Sequence, residues 1–296
     1  MNALQCCKYC SSDVTQTMKN KQRTYKAFTL IELVVAIALL VMVLTFASTI
    51  FKVSINAHRT AMANAEIMQK LRAITDQLNA DFKGRTISPP GKVSFGLRKS
   101  NIDGQDVEVR SDCIMFFANG DFQSSGQDKG KTVVGNVAGI FYGQVDPNSS
   151  TVLKPKEKIL ARRQTILTAD SSLTNFDLNP PREYCNSKPL SELVADYAAD
   201  PNNDDMKNLV KRPILDLSDA NDLVMYMAKG VDDFTIQFAE WDEIDKKFKW
   251  KPEKQSEFKE YESIYTRAWK FTFTLYDSKG IIEKGRTFTH IIYIGS

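Results

Sequence analysis

Glu32 is the only ionisable side chain between Phe28 and Phe51, a 24-residue run reading FTLIELVVAIALLVMVLTFASTIF. A helix of that length covers about 36 Å, enough to cross a hydrocarbon core of about 30 Å. A carboxylate inside such a span costs several kcal/mol unless it finds a partner, so the chemistry it offers is ion pairing with a cation. A glutamate kept hydrated at the interface is the plainer reading of the same residue.

The other residues that could do chemistry are few. His58 and His290 are the two histidines of the chain. No Ser-His-Asp set and no His-x-x-x-His pair accompanies them, so neither a catalytic residue nor a zinc site is expected. Asp200, Asn202 and Asp204 have the one-three-five spacing of a calcium loop. Position six of that loop is Asp205 instead of Gly, and position twelve is Lys211 instead of Glu, which excludes an EF-hand. A solvated acidic loop is the expectation, with no metal and no other cofactor. Gly135, Gly139 and Gly143 match neither nucleotide fingerprint. Lys246 to Lys251 interleaves lysines with Phe248 and Trp250 beside Asp242, Glu243 and Asp245. That reads as an amphipathic hairpin, and no nucleic-acid partner is expected.

Three of the five cysteines, Cys6, Cys7 and Cys10, lie in the first 27 residues, without the second ligand pair that zinc requires. Cys113 and Cys185 lie farther on and could pair as a disulfide in an oxidising compartment, two unpaired thiols being the alternative.

These residues must be positioned by elements that the patterning announces. The chain has 296 residues, 43% hydrophobic and 25% charged, an ordinary globular composition. Residues 1–27 hold five basic side chains and one acidic one, so of the net charge of +3 the remainder carries −1. A general basic surface is therefore not expected. Lys19, Lys21, Arg23 and Lys26 precede the apolar run. By the positive-inside rule this leaves the N-terminus cytoplasmic and exports the chain beyond Phe51.

From Lys52 to Lys83 there is no Pro or Gly, and Met68, Leu71, Ile74, Leu78 and Phe82 recur at helical spacing. The apolar helix should continue as an amphipathic one over 52–83 and stop at Gly84, with Pro89 and Pro90 beyond. From residue 84 to 296 short apolar runs alternate with turn residues. Val107–Val109, Cys113–Phe117, Ile159–Leu167, Val231–Trp241, Phe248–Trp250, Ala268–Tyr276 and Phe288–Ile294 read as strands, and Val133–Val145 as a strand pair or a bent strand. Asn119-Gly120-Asp121 and Asp277 to Gly280 read as turns. Residues 168–221 are polar and read as an insertion with short helices at Ser191–Tyr197 and Met206–Lys211. The expected class is α+β, a long N-terminal helix packed on a mostly antiparallel sheet domain.

Lys26-Ala27-Phe28-Thr29-Leu30-Ile31-Glu32-Leu33, behind a basic segment, resembles the processing site of type IV prepilins and type II secretion pseudopilins. The resemblance implies that 1–27 is a leader, cut between Ala27 and Phe28 by a prepilin peptidase, with N-methylation of Phe28. It implies that Glu32 is the assembly carboxylate, paired with a neighbouring subunit's N-terminal amine. The family usually has Gly before the cut; Ala27 is the smallest alternative, and cleavage is still expected. A start at Met18 would give a leader of usual length, MKNKQRTYKA. The CIMFF strand, the VDDFTIQF strand and the closing AWKFTFTLYDSKG hairpin are similar to the J-type minor pseudopilin, with the W-type minor pilin of type IV pili as close competitor. That implies two β-sheets beside the helix, I-type and K-type partners at a filament tip, an inner-membrane anchor and a periplasmic domain. A pilus-tip adhesin or DNA-uptake pilin is the rival among binding modules. A signal-anchored hydrolase would lack a catalytic set and leave Glu32 unexplained.

Overall fold

A computed structural model describes residues 28–86, 91–128, 131–145, 152–167, 184–185, 212–215, 223–252, 260–263 and 266–294. The helix α1 runs Leu30–Lys83. The chain divides between Ile55 and Asn56 into two compact units. In the first, every described side chain except the half-buried Ala47 is exposed.

The second unit begins with the rest of α1. Its buried face is Ala63, Ile67, Ile74, Leu78, Asp81 and Phe82, with Leu71 partly buried. The expected stripe is thus corrected at its start. Met68 is exposed and Ile67, fully buried, holds the core position. A helix advances about 100° per residue, so Ile67 and Ile74, seven apart, stay on one face while Met68 rotates off it. Ile67→Ala is expected to cost about 2–5 kcal/mol, as core truncations do, and Met68→Ala to stay within about 0.5 kcal/mol. Urea unfolding of the two variants checks the difference.

Among the described residues thirteen strands follow: β1 (Gly91–Ser94), β2 (Leu97–Ile102), β3 (Gln105–Arg110), β4 (Cys113–Asp128), β5 (Lys131–Gln144), β6 (Ile159–Leu167), β7 (Tyr184–Cys185), β8 (Tyr226–Lys229), β9 (Val231–Asp242), β10 (Lys247–Lys251), β11 (Glu260–Ser263), β12 (Ala268–Leu275) and β13 (Arg286–Tyr293). They form two main sheets. The first has the order β11-β1-β4-β5-β6-β7, with β8 also on β6; the second has the order β10-β9-β12-β13. All these pairings are antiparallel except the two-residue β6–β7 pair. The α+β class holds, and β2 and β3 add a separate hairpin.

The alternation read in the sequence decides which face is buried. Phe234 and Ile236 of β9, and Trp269, Phe271, Phe273 and Leu275 of β12, are fully buried. They join Ile114 and Phe116 of β4, Ile140 and Tyr142 of β5, and the α1 stripe in one core. Phe82 sits where the three meet, with ring centroids 4.4 Å from Phe116 and 5.5 Å from Phe271.

Gly84 does end the helix, through a close approach. A Cβ there would lie 2.3 Å from the Asn119 carbonyl oxygen, and Asn119 N donates to Gly84 O at 2.7 Å. Asn119-Gly120-Asp121 is not a turn. It lies inside β4, where three steps from Asn119 to Phe122 match two on β5 from Val137 to Gly135, a one-residue bulge. Asp277 to Gly280 does connect β12 and β13. The buried Asp277 carboxylate accepts from Ile281 N and Ile282 N at 2.9 Å each. The two helices expected within 168–221 lie outside the described residues.

Buried charges link the layers. Arg162 of β6 donates to Asp81 of α1 at 2.6 and 2.8 Å, and the Tyr142 hydroxyl donates to the same carboxylate. Burial, and then the Asp81 carboxylate, push the Tyr142 phenol well above its ordinary value, so it stays a donor at neutral pH. Asp112 accepts from Ile236 N at 2.7 Å and pairs with Arg110 at 2.9 Å, tying the start of β4 to β9. Burial outweighs Arg110 there and pushes the Asp112 carboxyl up to about 6. Lys158 pairs with Asp232 at 2.7 Å.

Candidate functional site at the N-terminus

The first turn of α1 is built by Thr29 and Glu32. Glu32 N donates to Thr29 Oγ1 at 3.3 Å, and Glu32 Oε2 accepts from Thr29 N and Thr29 Oγ1 at 2.9 Å each. This is a reciprocal capping box, the T-x-x-E pattern satisfying two orphan donors of the helix start. Sequence reasoning gave Thr29 no role, although its position three before a Glu is the signal for one. Both bonds use Oε2; Oε1 has no partner among the described residues. The carboxylate is therefore oriented by its own helix through one oxygen.

Phe28 stands just before this turn and is 87% exposed. Ala27 lies outside the described residues. Behind Glu32 the helix is long and apolar enough to cross a membrane, and none of that apolar window is buried within the chain. An apolar surface of this extent, with its backbone groups satisfied inside the helix, suits lipid or the helices of other subunits.

The other sequence candidates do not assemble into a second site. Cys113 is buried and free, and burial pushes its thiol up. The disulfide with Cys185 is a correction: Cys113 pairs with Gly143 in β5, Gly143 with Ala161 in β6, and Cys185 pairs with Leu167, six residues further along β6. Three inter-strand spacings of about 4.8 Å and six residues of strand separate the two, far beyond the ~7 Å limit between bridged Cα atoms. His290 Nε2 lies 2.9 Å from Asn79 Oδ1 of α1, a structural contact, and burial lowers its pKa. His58 is exposed on α1. Asp200, Asn202 and Asp204 lie outside the described residues, and among the described residues no three acidic, His or Cys side chains cluster as a metal site. Lys246 to Lys251 forms the β9–β10 hairpin, where Lys249 is held between Asp242 and Asp245 at 2.6 Å each.

The prokaryotic N-terminal methylation motif matches residues 22–48, which contain the candidate cut, Thr29 and Glu32. No curated protein and no solved structure matches the chain. The motif implies processing by a prepilin peptidase and assembly with other pilins, and with the single apolar helix it fits a single-pass inner-membrane anchor. Together they support a type IV pilin-like or pseudopilin protein, which is a structural subunit.

Proposed function

We propose that the chain is a minor pseudopilin of a type II secretion system, of the J type. The peptidase cuts between Ala27 and Phe28, and the new amine of Phe28 is methylated. The mature chain stands in the inner membrane with its N-terminus cytoplasmic and its two-sheet domain periplasmic. It enters the pseudopilus near the tip beside I-type and K-type-like subunits. Glu32 Oε1 pairs with a neighbouring subunit's N-terminal amine, and an unpaired charge being costly there, the pairing favours one axial register. The observation that carries the reading is this half-used carboxylate at the head of an apolar helical stretch none of which is buried within the chain.

Deletion in the host tests the choice of machine. Extracellular enzymes should accumulate in the periplasm, surface pili should persist, and the intact gene should restore secretion. Loss of pili with secretion unchanged would replace this reading with the W-type minor pilin.

A further inference from the structure

The second sheet buries one face against α1 and leaves the other open. On that outer face the β9–β10 end gathers Trp241, Phe248 and Trp250, and β13, on the other side of β12, adds Ile291 and Tyr293. Trp241 and Phe248 are opposite each other in the register, with centroids 5.0 Å apart. Each is 46% exposed, and Tyr293 is 76% exposed. Tyr293 is opposite Ala268 and Ile291 opposite Lys270, so these side chains share one surface. Large exposed rings grouped in this way mark an interaction surface, and Trp, Tyr and Arg are the residues that dominate protein interfaces.

Two cations stand among the rings. Lys270 Nζ lies 4.9 Å from the Trp250 centroid and Arg267 lies 5.7 Å from that of Phe248. The nearby acids do not cancel them. Asp242 and Asp245 are taken up by Lys249, Glu240 alternates to the opposite face, and Glu243 sits in the turn. The patch is apolar and positive, which fits an acidic counterpart. A second copy in a two-fold interface would set like charge against like. Stacked nucleobases would need the ring faces over which Lys270 and Arg267 already lie.

A second observation lies beside the patch. Among the described residues β13 pairs only with β12, and its eight residues run in unbroken register with no Pro, Lys or bulge. Arg286 is the one Lys or Arg on this strand, at its first position, so the rest of the edge is open to a further strand.

We propose that this face, centred on Trp241, Phe248, Tyr293, Arg267 and Lys270, docks an acidic surface of a different filament subunit. The inference rests on the reading of the chain as such a subunit. The test uses the full chain in its native membrane, with p-benzoylphenylalanine at Tyr293 and, as control, at Thr287 on the far end of the same strand. The expected result is a light-dependent adduct at 293 with another protein that carries an N-terminal methylation motif, linked through a peptide rich in Asp or Glu. Arg267→Glu with Lys270→Glu should lower its yield at least five-fold, and Trp241→Ala, which leaves the cations in place, should lower it as well. Thermal melts confirm that the variants fold. An adduct no stronger than at 287, one unchanged by charge reversal, or one with a second copy, lipid or nucleic acid would overturn the proposal. Intact mass from the same membranes separates the two ideas. A chain beginning at Phe28 without the adduct removes this surface alone, whereas an uncut chain removes the filament reading beneath it.

Discussion

Glu32→Gln is expected to insert in the membrane at the wild-type level and to fail to enter filaments. Glu32→Ala should do the same. The pair separates the two things this side chain can do. In the capping box its Oε2 accepts from Thr29, and Gln serves that position nearly as well as Glu. Ala removes the carboxylate half of the box and leaves the Thr29 hydroxyl capping the residue-32 N–H. If capping were the whole role, Gln would assemble and Ala would be weakened. If the negative charge pairs with a neighbour's amine, Gln fails as fully as Ala. Membrane fractionation measures insertion, and cross-linking between adjacent subunits measures assembly. Normal assembly of the Gln variant would leave Glu32 a helix cap only.

The second large effect lies in the two-sheet domain. Arg162→Met should destabilise it by about 3–5 kcal/mol, the cost of stranding a buried carboxylate. Asp81 is 5% exposed and Arg162 19%, so water cannot replace the lost partner fully. Gln77 and Tyr142 would remain as donors, and neither carries a charge. Replacing the whole set by apolar residues, Asp81→Leu, Tyr142→Phe and Arg162→Met together, should recover most of the loss. Urea unfolding of the full chain in detergent, followed by tryptophan fluorescence, reads both variants. A loss below about 1 kcal/mol for Arg162→Met would mean that the pair is hydrated and contributes little.

How much of the fold is legible in the sequence depends on how local each signal is. The strands Ile159–Leu167, Val231–Trp241 and Ala268–Tyr276 were legible because alternation is a short-range property, and it put Phe234, Ile236, Trp269, Phe271, Phe273 and Leu275 on the face that is buried, although Phe238 is only partly covered and Ala239 and Ala268 are buried on the other face. The membrane-capable helix was legible from composition alone. Asn119-Gly120-Asp121 misled because a turn triplet and a bulge draw on the same residue types, and the choice depends on the partner strand β5. Met68 misled because it and Ile67 are both apolar, and only the two sheets decide which faces them. Asp81 with Arg162, and Lys158 with Asp232, gave no signal because each pair joins residues more than seventy positions apart. Two cysteines beyond the apolar run suggested a bridge, but pairing requires Cα proximity that spacing in the chain does not report. At the N-terminus the apolar run, the acid and the basic flank lie within one short window. That part of the candidate site was therefore legible, and Thr29 is what the geometry adds.

The processing step bears most directly on what this protein is. Intact-mass spectrometry of the membrane-extracted protein, with sequencing of its N-terminus, would read it in one sample. The predicted result is a chain that begins at Phe28 and carries one added methyl group on its amine. A chain still beginning at Met1 or Met18 would contradict it: the Ala27–Phe28 bond would be uncut, no free Phe28 amine would exist, and the helix would be an ordinary membrane anchor.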